Sequence, residues 1–176
     1  MNAIEISKVS IQEVEQLQQI GKKTFYETFA APNSEENMQK YLDEGFSTSK
    51  LIAELNDPNA EFYFTFMGNE VIGYLKLNFK ESQSELKDEN AVEIERIYVL
   101  KEFQGKKVGR MLIEKAVAIA KQHHADFIWL GVWEENHKAI RFYEKQGFRT
   151  FDKHLFMLGT DEQTDLMMKL ELKRRK

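Results

Sequence analysis

Hydrophobic periodicity changes several times along the chain, and each change marks an element. Ala3–Val9 alternates, with Ile4 and Ile6 set against polar neighbours, which predicts a short strand. Ser10 reads as a helix N-cap with Glu13 in the capping-box position, and Val14, Leu17, Ile20, Thr24 and Phe25 follow at helical spacing. Ala31-Pro32-Asn33-Ser34 breaks that helix. Ser34 starts another carrying Met38, Tyr41 and Leu42, and Thr48–Leu55 predicts a third before the turn at Asp57-Pro58-Asn59. Phe62, Phe64 and Phe66 then alternate, Gly68-Asn69 turns the chain, and Val71–Phe79 returns as the second arm of an antiparallel hairpin. Beyond a polar loop at Lys80–Asn90, Ala91–Leu100 predicts a strand. Val108, Met111, Leu112, Lys115, Ala116 and Ile119 predict a helix, Phe127–Val132 a short strand and Asn136–Gln146 a helix. Phe148–Leu155 and Thr164–Leu172 close the pattern as two strands. This order predicts an α/β (or α+β) fold with a mixed sheet, one domain over residues 1–176.

Composition narrows the function classes. The chain has 176 residues, 42% of them apolar, with ample aromatic core material, which excludes a disordered protein. It contains no cysteine, so disulfides, thiolate zinc sites and a cysteine nucleophile are excluded. The net charge is −4, from 25 Lys+Arg against 29 Asp+Glu, without the basic excess of a nucleic-acid binder. The terminal KRRK reads as a solvated tail. No apolar run approaches the ~20 residues that span a bilayer, and the N-terminus lacks secretory features, so the cytoplasm is the expected location. His123-His124 could suggest metal, but adjacent helical residues point roughly 100° apart; they read as surface histidines, and no metal is expected.

The chemistry is concentrated between Ala91 and Phe148. A strand ends at Val99, and a helix starts inside the loop Phe103-Gln104-Gly105-Lys106-Lys107-Val108-Gly109-Arg110. A helix N-terminus offers unpaired N–H groups and a positive dipole end, glycines let an anion approach the backbone, and Lys106, Lys107 and Arg110 add charge. The phosphate loop G-x-x-x-x-G-K-[ST] fails, because Gly105 and Gly109 are one residue too close, and G-x-G-x-x-G is absent.

Two motifs match a family. QGKKVG, Gln104 to Gly109, follows the pattern [QR]-x-x-G-x-[GA] except that Lys107 stands where glycine is usual. Asn136, Ala139, Tyr143, Gly147 and Phe148 complete N-x-x-A-x-x-x-Y-x-x-x-G-F. The chain therefore resembles the GNAT superfamily of acyl-CoA-dependent N-acetyltransferases. The resemblance implies a twisted, mostly antiparallel sheet of about seven strands, splayed between the fourth and fifth, with acetyl-CoA in the split and residues 91–148 as the acyl-CoA-binding core. Its pyrophosphate would sit on Gln104, Gly105, Lys106, Lys107, Val108, Gly109 and Arg110. Its pantetheine arm would pair with Ile97, Tyr98 and Val99 and bond Asn136, with Lys138 and Lys145 completing the cofactor set.

An alkyl ammonium has a pKa near ~10.4, so an amine acceptor must lose a proton before it attacks. Glu93 and Glu95 are two apart on one strand and could look into the same cleft, either as bases or as paired surface charges. In polyamine acetyltransferases of the superfamily a glutamate two residues before the strand's hydrophobic end takes this role; Glu95 matches it best and Glu93 is the reserve. Tyr143 would be the acid for the leaving thiolate, or a core aromatic. The segments KTFYETFAAPNSEENMQKYL, FYFTFMGNEVIGYLKLN and WLGVWEENHKAIRFYEKQGF are similar to bacterial spermidine/spermine acetyltransferases of the PaiA type. That likeness implies a polyamine met by Glu27, Glu35, Trp133 and Glu134. A protein N-terminus or lysine as acceptor, or a non-catalytic acyl-CoA sensor, are the competing readings, and exposed aromatics on an edge strand would offer a homodimer surface.

Overall fold

The computed structural model describes residues 3–30, 33–85, 88 and 90–172; Ala31, Pro32 and the KRRK tail of the sequence analysis lie outside these. Strand β1 (Ile4–Lys8) leads through a 3-10 turn into α1 (Val14–Phe29). Glu13 accepts a hydrogen bond from the Ser10 N–H at 2.9 Å, which fixes the entry to the helix. Helix α2 (Glu35–Gly45) is capped by Ser34, whose Oγ accepts from the Asn37 N–H, and α3 (Thr48–Leu55) by Ser47 in the same way. The hairpin follows as β2 (Ala60–Met67) and β3 (Glu70–Phe79), then β4 (Ala91–Val99), α4 (Val108–Gln122), β5 (Phe127–Trp133) and α5 (His137–Lys145). The last two strands, β6 (Arg149–Leu158) and β7 (Asp161–Glu171), run further toward each other than their apolar pattern predicts. They meet at a tight turn in which Gly159 adopts φ +63°, and backbone pairing carries polar positions such as Glu162 and Gln163 into the ladder.

The seven strands form one sheet in the order β1-β2-β3-β4-β5-β7-β6, and every neighbouring pair is antiparallel except β4/β5. That parallel pairing is short. It runs from Ala91↔Phe127 to Ile94↔Leu130 and stops. Beyond it β4 stays with β3 as far as Val99, while β5 stays with β7 as far as Trp133, so the sheet splays from Glu95 onward. A bulge sits at the same point. Lys76 pairs with Arg96 and Leu77 with Ile94, which leaves Glu95 as the extra residue of β4.

Alternation along β2 and β3 divides the core in two. Phe62, Phe64 and Tyr74 face α1–α3 and pack with Leu17, Ile20, Phe25, Met38 and Leu51. Tyr63, Leu75 and Leu77 face the other way and, with Val92 and Ile94, pack on Leu112, Ile113 and Ala116 of α4. Strand β6 forms one edge of the sheet and exposes Phe151, Leu155 and Met157. Among the described residues no helix is long and apolar enough to cross a membrane, and no cluster of metal-ligating side chains occurs.

Candidate active site

The split between β4 and β5 opens into a cleft of about 700 Å³. One wall is the end of β4, Glu93 to Val99; the other is β5 from Trp129 to Trp133 with Asp165 and Met167 of β7 beyond it. The loop before α4 and the first turns of α5 close one end, and Phe25, Phe29 and Tyr41 of the first two helices close the other.

The two glutamates of β4 share a face, as their spacing predicts, but meet opposite environments. Glu95 lies 2.7 Å from Lys76 and 3.2 Å from Arg96, and accepts a 2.7 Å bond from Asn78. Glu54 of α3 bonds the same Lys76 and lies 3.3 Å from Arg96. Burial alone would push the Glu95 carboxyl up. Arg96 and Lys76 outweigh it and hold the carboxyl at about 2. Glu93 has no cation beside it among the described residues. Its side chain accepts from Asn78 at 2.9 Å and from the N–H and hydroxyl of Ser84. Burial pushes it above the ordinary carboxylate range, against the pull of those hydrogen bonds.

The loop ahead of α4 has the form an anion requires. Gly105 adopts φ +82° with nothing within 4 Å of where a Cβ would stand, so its backbone is open to the cleft. Lys107, at the position where glycine is usual, takes the left-handed conformation itself, φ +66°. No side chain caps α4, and the Met111 N–H is the one that reaches the Lys107 carbonyl, so the amides before it are left without intrahelical partners. Gln104 donates to the Val99 carbonyl at 3.1 Å and accepts from Lys138 at 3.2 Å, tying this loop to both β4 and α5. A Cβ added to Gly109 would stand 3.3 Å from the Phe142 ring, so glycine here lets α5 approach α4 closely.

Of the expected cofactor contacts, Ile97, Tyr98, Val99, Gln104, Gly105, Lys107, Gly109, Arg110, Asn136, Lys138 and Tyr143 line the cleft. Lys106 is exposed with its ammonium over the Phe103 ring, Val108 is buried beneath the loop, and Lys145 is exposed on α5; these three stand outside its walls. Asn136 caps α5, its Oδ1 accepting from the Ala139 N–H, which leaves its amide NH2 free to serve the cleft. Tyr143 is 8% exposed, wedged between Phe142 and Phe148, and burial raises its phenol above the ordinary range, so it is protonated throughout the physiological range.

At the other end, Trp133 lines the cleft and packs on Phe29. The expected acidic contacts Glu27, Glu35 and Glu134 lie outside. Glu27 accepts from the Lys101 N–H at 3.0 Å, Glu35 accepts from the Tyr26 hydroxyl at 3.2 Å, and the Glu134 N–H bonds the Thr164 carbonyl in the sheet. Instead, Glu85 and Asp165 join Glu93 and Glu95 in the wall, with His154 beside them, 2.9 Å from Glu85. Local sequence offers only half of a signal for Asp165: Gly131 interrupts the bulky run of β5, but that Asp165 is its neighbour follows from the β5/β7 pairing.

These features fit an acyl-CoA: an uncapped helix start with an open glycine backbone and cations for phosphates, and a β4 edge released from pairing for an extended arm. The acetyltransferase (GNAT) family model matches residues 15–148. An N-acetyltransferase of Lactobacillus delbrueckii subsp. lactis, named as an uncharacterized protein of the pepI 3' region, is 40% identical over 98% of this chain and 99% of its own. A spermidine N(1)-acetyltransferase of Thermoplasma acidophilum is 29% identical over 85% of this chain and 91% of its own. The crystal structure of the PaiA N-acetyltransferase from Thermoplasma acidophilum in complex with coenzyme A superposes with a TM-score of 0.80 and 26% identity, covering 97% of this chain and 99% of that one. The splayed sheet, the uncapped glycine loop and these matches together make the chain a member of the GNAT family, an acetyl-CoA-dependent N-acetyltransferase.

Proposed function

We propose that the amine acceptor is a polyamine of the spermidine or spermine type. The observation that carries this reading is the composition of the cleft beyond the split. Glu85, Glu93, Glu95 and Asp165 line it together with the aromatic faces of Phe29, Tyr41 and Trp133, a surface that suits a flexible polycation through both charge and ring contacts. The name of the Thermoplasma acidophilum relative, a spermidine N(1)-acetyltransferase, supports the same substrate class.

Bound acetyl-CoA supplies an acetyl thioester. The amides ahead of Met111, with Lys107, Arg110 and Lys138, hold its phosphates, and Asn136 orients its amide arm. Tyr143 holds a proton at its Oη for the departing sulfur. Glu95 anchors β4 at its bulge, because a carboxylate held at about 2 by Arg96 and Lys76 has little affinity for a proton. Glu93 is the more basic of the two, yet its oxygens are already engaged by Ser84 and Asn78.

Thiol release from acetyl-CoA with spermidine, spermine, putrescine, lysine, an aminoglycoside and short peptides tests the reading. Release with spermidine or spermine and not with peptides is the expected result. Release with peptides alone moves the acceptor to protein, and no release at all, with acetyl-CoA still raising the melting temperature, leaves a competent cofactor site and either an acceptor outside the panel or a non-catalytic sensor.

A further inference from the structure

Strand β5 reads Phe127-Ile-Trp-Leu-Gly-Val-Trp133, and Gly131 is its one small residue. A Cβ added there would stand in ordinary contact, 3.5 Å from the Asp165 Oδ2, so Asp165 occupies the space that a side chain longer than alanine would need at the floor of the split. Register fixes that orientation: Gly131 pairs with Met167 and Trp133 with Asp165, on the face that also carries Glu93.

Resting on the amine-acetylation reading above, we infer that Asp165 is the proton acceptor for the attacking amine. It lines the cleft on the wall facing Glu93 and Glu95. Unlike either of them, it has no hydrogen-bond donor on its carboxylate among the described residues, so its lone pairs are open to an ammonium. The titratable groups around it are few. Strand β6 contributes His154, whose imidazole lies 2.9 Å from Glu85; α2 contributes Tyr41; β5 contributes none; and across the split stand Glu93 and Glu95 with Arg96. Burial dominates and pushes the Asp165 carboxyl up to about 6, against a small pull from His154. A base with that affinity is ionised at neutral pH and still basic enough to take a proton in the transition state.

The proton balance is complete with residues of this chain. The ammonium brings three protons and the amide keeps one. Asp165 accepts the first, which frees the lone pair that forms the C–N bond. The C–S bond breaks with its electron pair on sulfur, which takes a proton from Tyr143. The second nitrogen proton restores the phenol, and Asp165 releases its own to water.

The test uses whichever amine the wild-type protein acetylates, so a wrong substrate class shows in the panel and leaves this comparison intact. For the wild type, kcat/KM is expected to fall about tenfold per pH unit below an apparent pKa near 6. Asp165→Asn is expected to lower it roughly a hundredfold to ten-thousandfold and to abolish that acid limb, with Asp165→Glu restoring part of the rate and a limb. A rate within tenfold of wild type, or an acid limb that persists unchanged in Asp165→Asn, overturns the assignment. A second readout needs no turnover: carboxyl carbon NMR of the labelled protein should show one resonance titrating near 6 that is lost in Asp165→Asn. Its absence also overturns the proposal.

Discussion

The Lys76 ammonium and the Glu95 carboxylate stand 2.7 Å apart at the bulge where β4 begins to leave β5. Lys76 is 6% exposed, and Arg96 and Glu54 complete the cluster, so each charge depends on the others to offset the loss of water. Removing one carboxylate leaves two cations sharing Glu54. Glu95→Gln is therefore expected to cost on the order of 3 kcal/mol in stability at pH 7. The sign with pH follows from the lowered carboxyl: the contribution is complete above the ordinary 4.5 and is lost as pH falls through about 2. Denaturant unfolding of wild type and variant at pH 7 and pH 3 measures this, and the gap should narrow at the lower pH. A gap that widens on acidification contradicts the ion-pair account.

Tyr143→Phe removes one hydroxyl from a ring that already packs between Phe142 and Phe148, so the fold has no reason to change. Turnover is expected to drop roughly tenfold to ten-thousandfold, with acetyl-CoA affinity near wild type, as steady-state kinetics and calorimetric titration would report. If affinity falls with turnover, the residue shapes the cleft and supplies no proton.

Much of this site was legible in the sequence, and the missing part has a definite cause. The helix start at Ser34, the hairpin turn at Gly68-Asn69 and the two motifs around Gln104 and Asn136 are local signals, and the elements formed where those signals lie. The pairing of Glu93 with Glu95 on one face was also legible from spacing, and it holds in spite of the bulge at Glu95, with both carboxylates accepting from Asn78. What spacing could not give was each glutamate's company. Lys76 lies on β3 and Glu54 on α3, so the charge cluster exists only after long-range pairing. Asp165 is illegible for the same reason: its place beside Gly131 depends on β7 inserting between β5 and β6, out of chain order. Conversely, Glu27 and Glu35 sat on helices whose polar faces turn away from the split.

Lys107 occupies a left-handed backbone position, φ +66°, where glycine has no steric cost. A non-glycine residue pays about 1–2 kcal/mol there, and glycine's greater freedom in the unfolded chain returns roughly half of that gain. Lys107→Gly is expected to leave stability equal or up to about 1 kcal/mol higher, while acetyl-CoA binding weakens about two- to tenfold and loses part of its salt dependence. Thermal melts and titrations at two ionic strengths separate the effects. Tighter binding in the glycine variant would mean that the side chain obstructs the loop.

Asp165 also carries a stability signature that is independent of turnover. Its carboxyl is raised from the ordinary 3.8 to about 6, chiefly by burial, so the folded protein holds its proton more tightly than the unfolded chain. Stability from this group is therefore present below pH 4 and declines as pH rises to about 6, the opposite of a salt-bridged aspartate. Replacing the carboxylate by a neutral amide of the same shape removes the desolvated charge. Asp165→Asn is expected to be more stable than wild type by about 1–3 kcal/mol at pH 8 and equal to it near pH 4. Unfolding free energies at the two pH values check this directly. A gain at pH 8 alongside a loss of acetylation would mark Asp165 as a group kept in the cleft for its chemistry at the expense of the fold, whereas a variant destabilised equally at both pH values would show that its carboxylate is held by contacts and is not strained by burial.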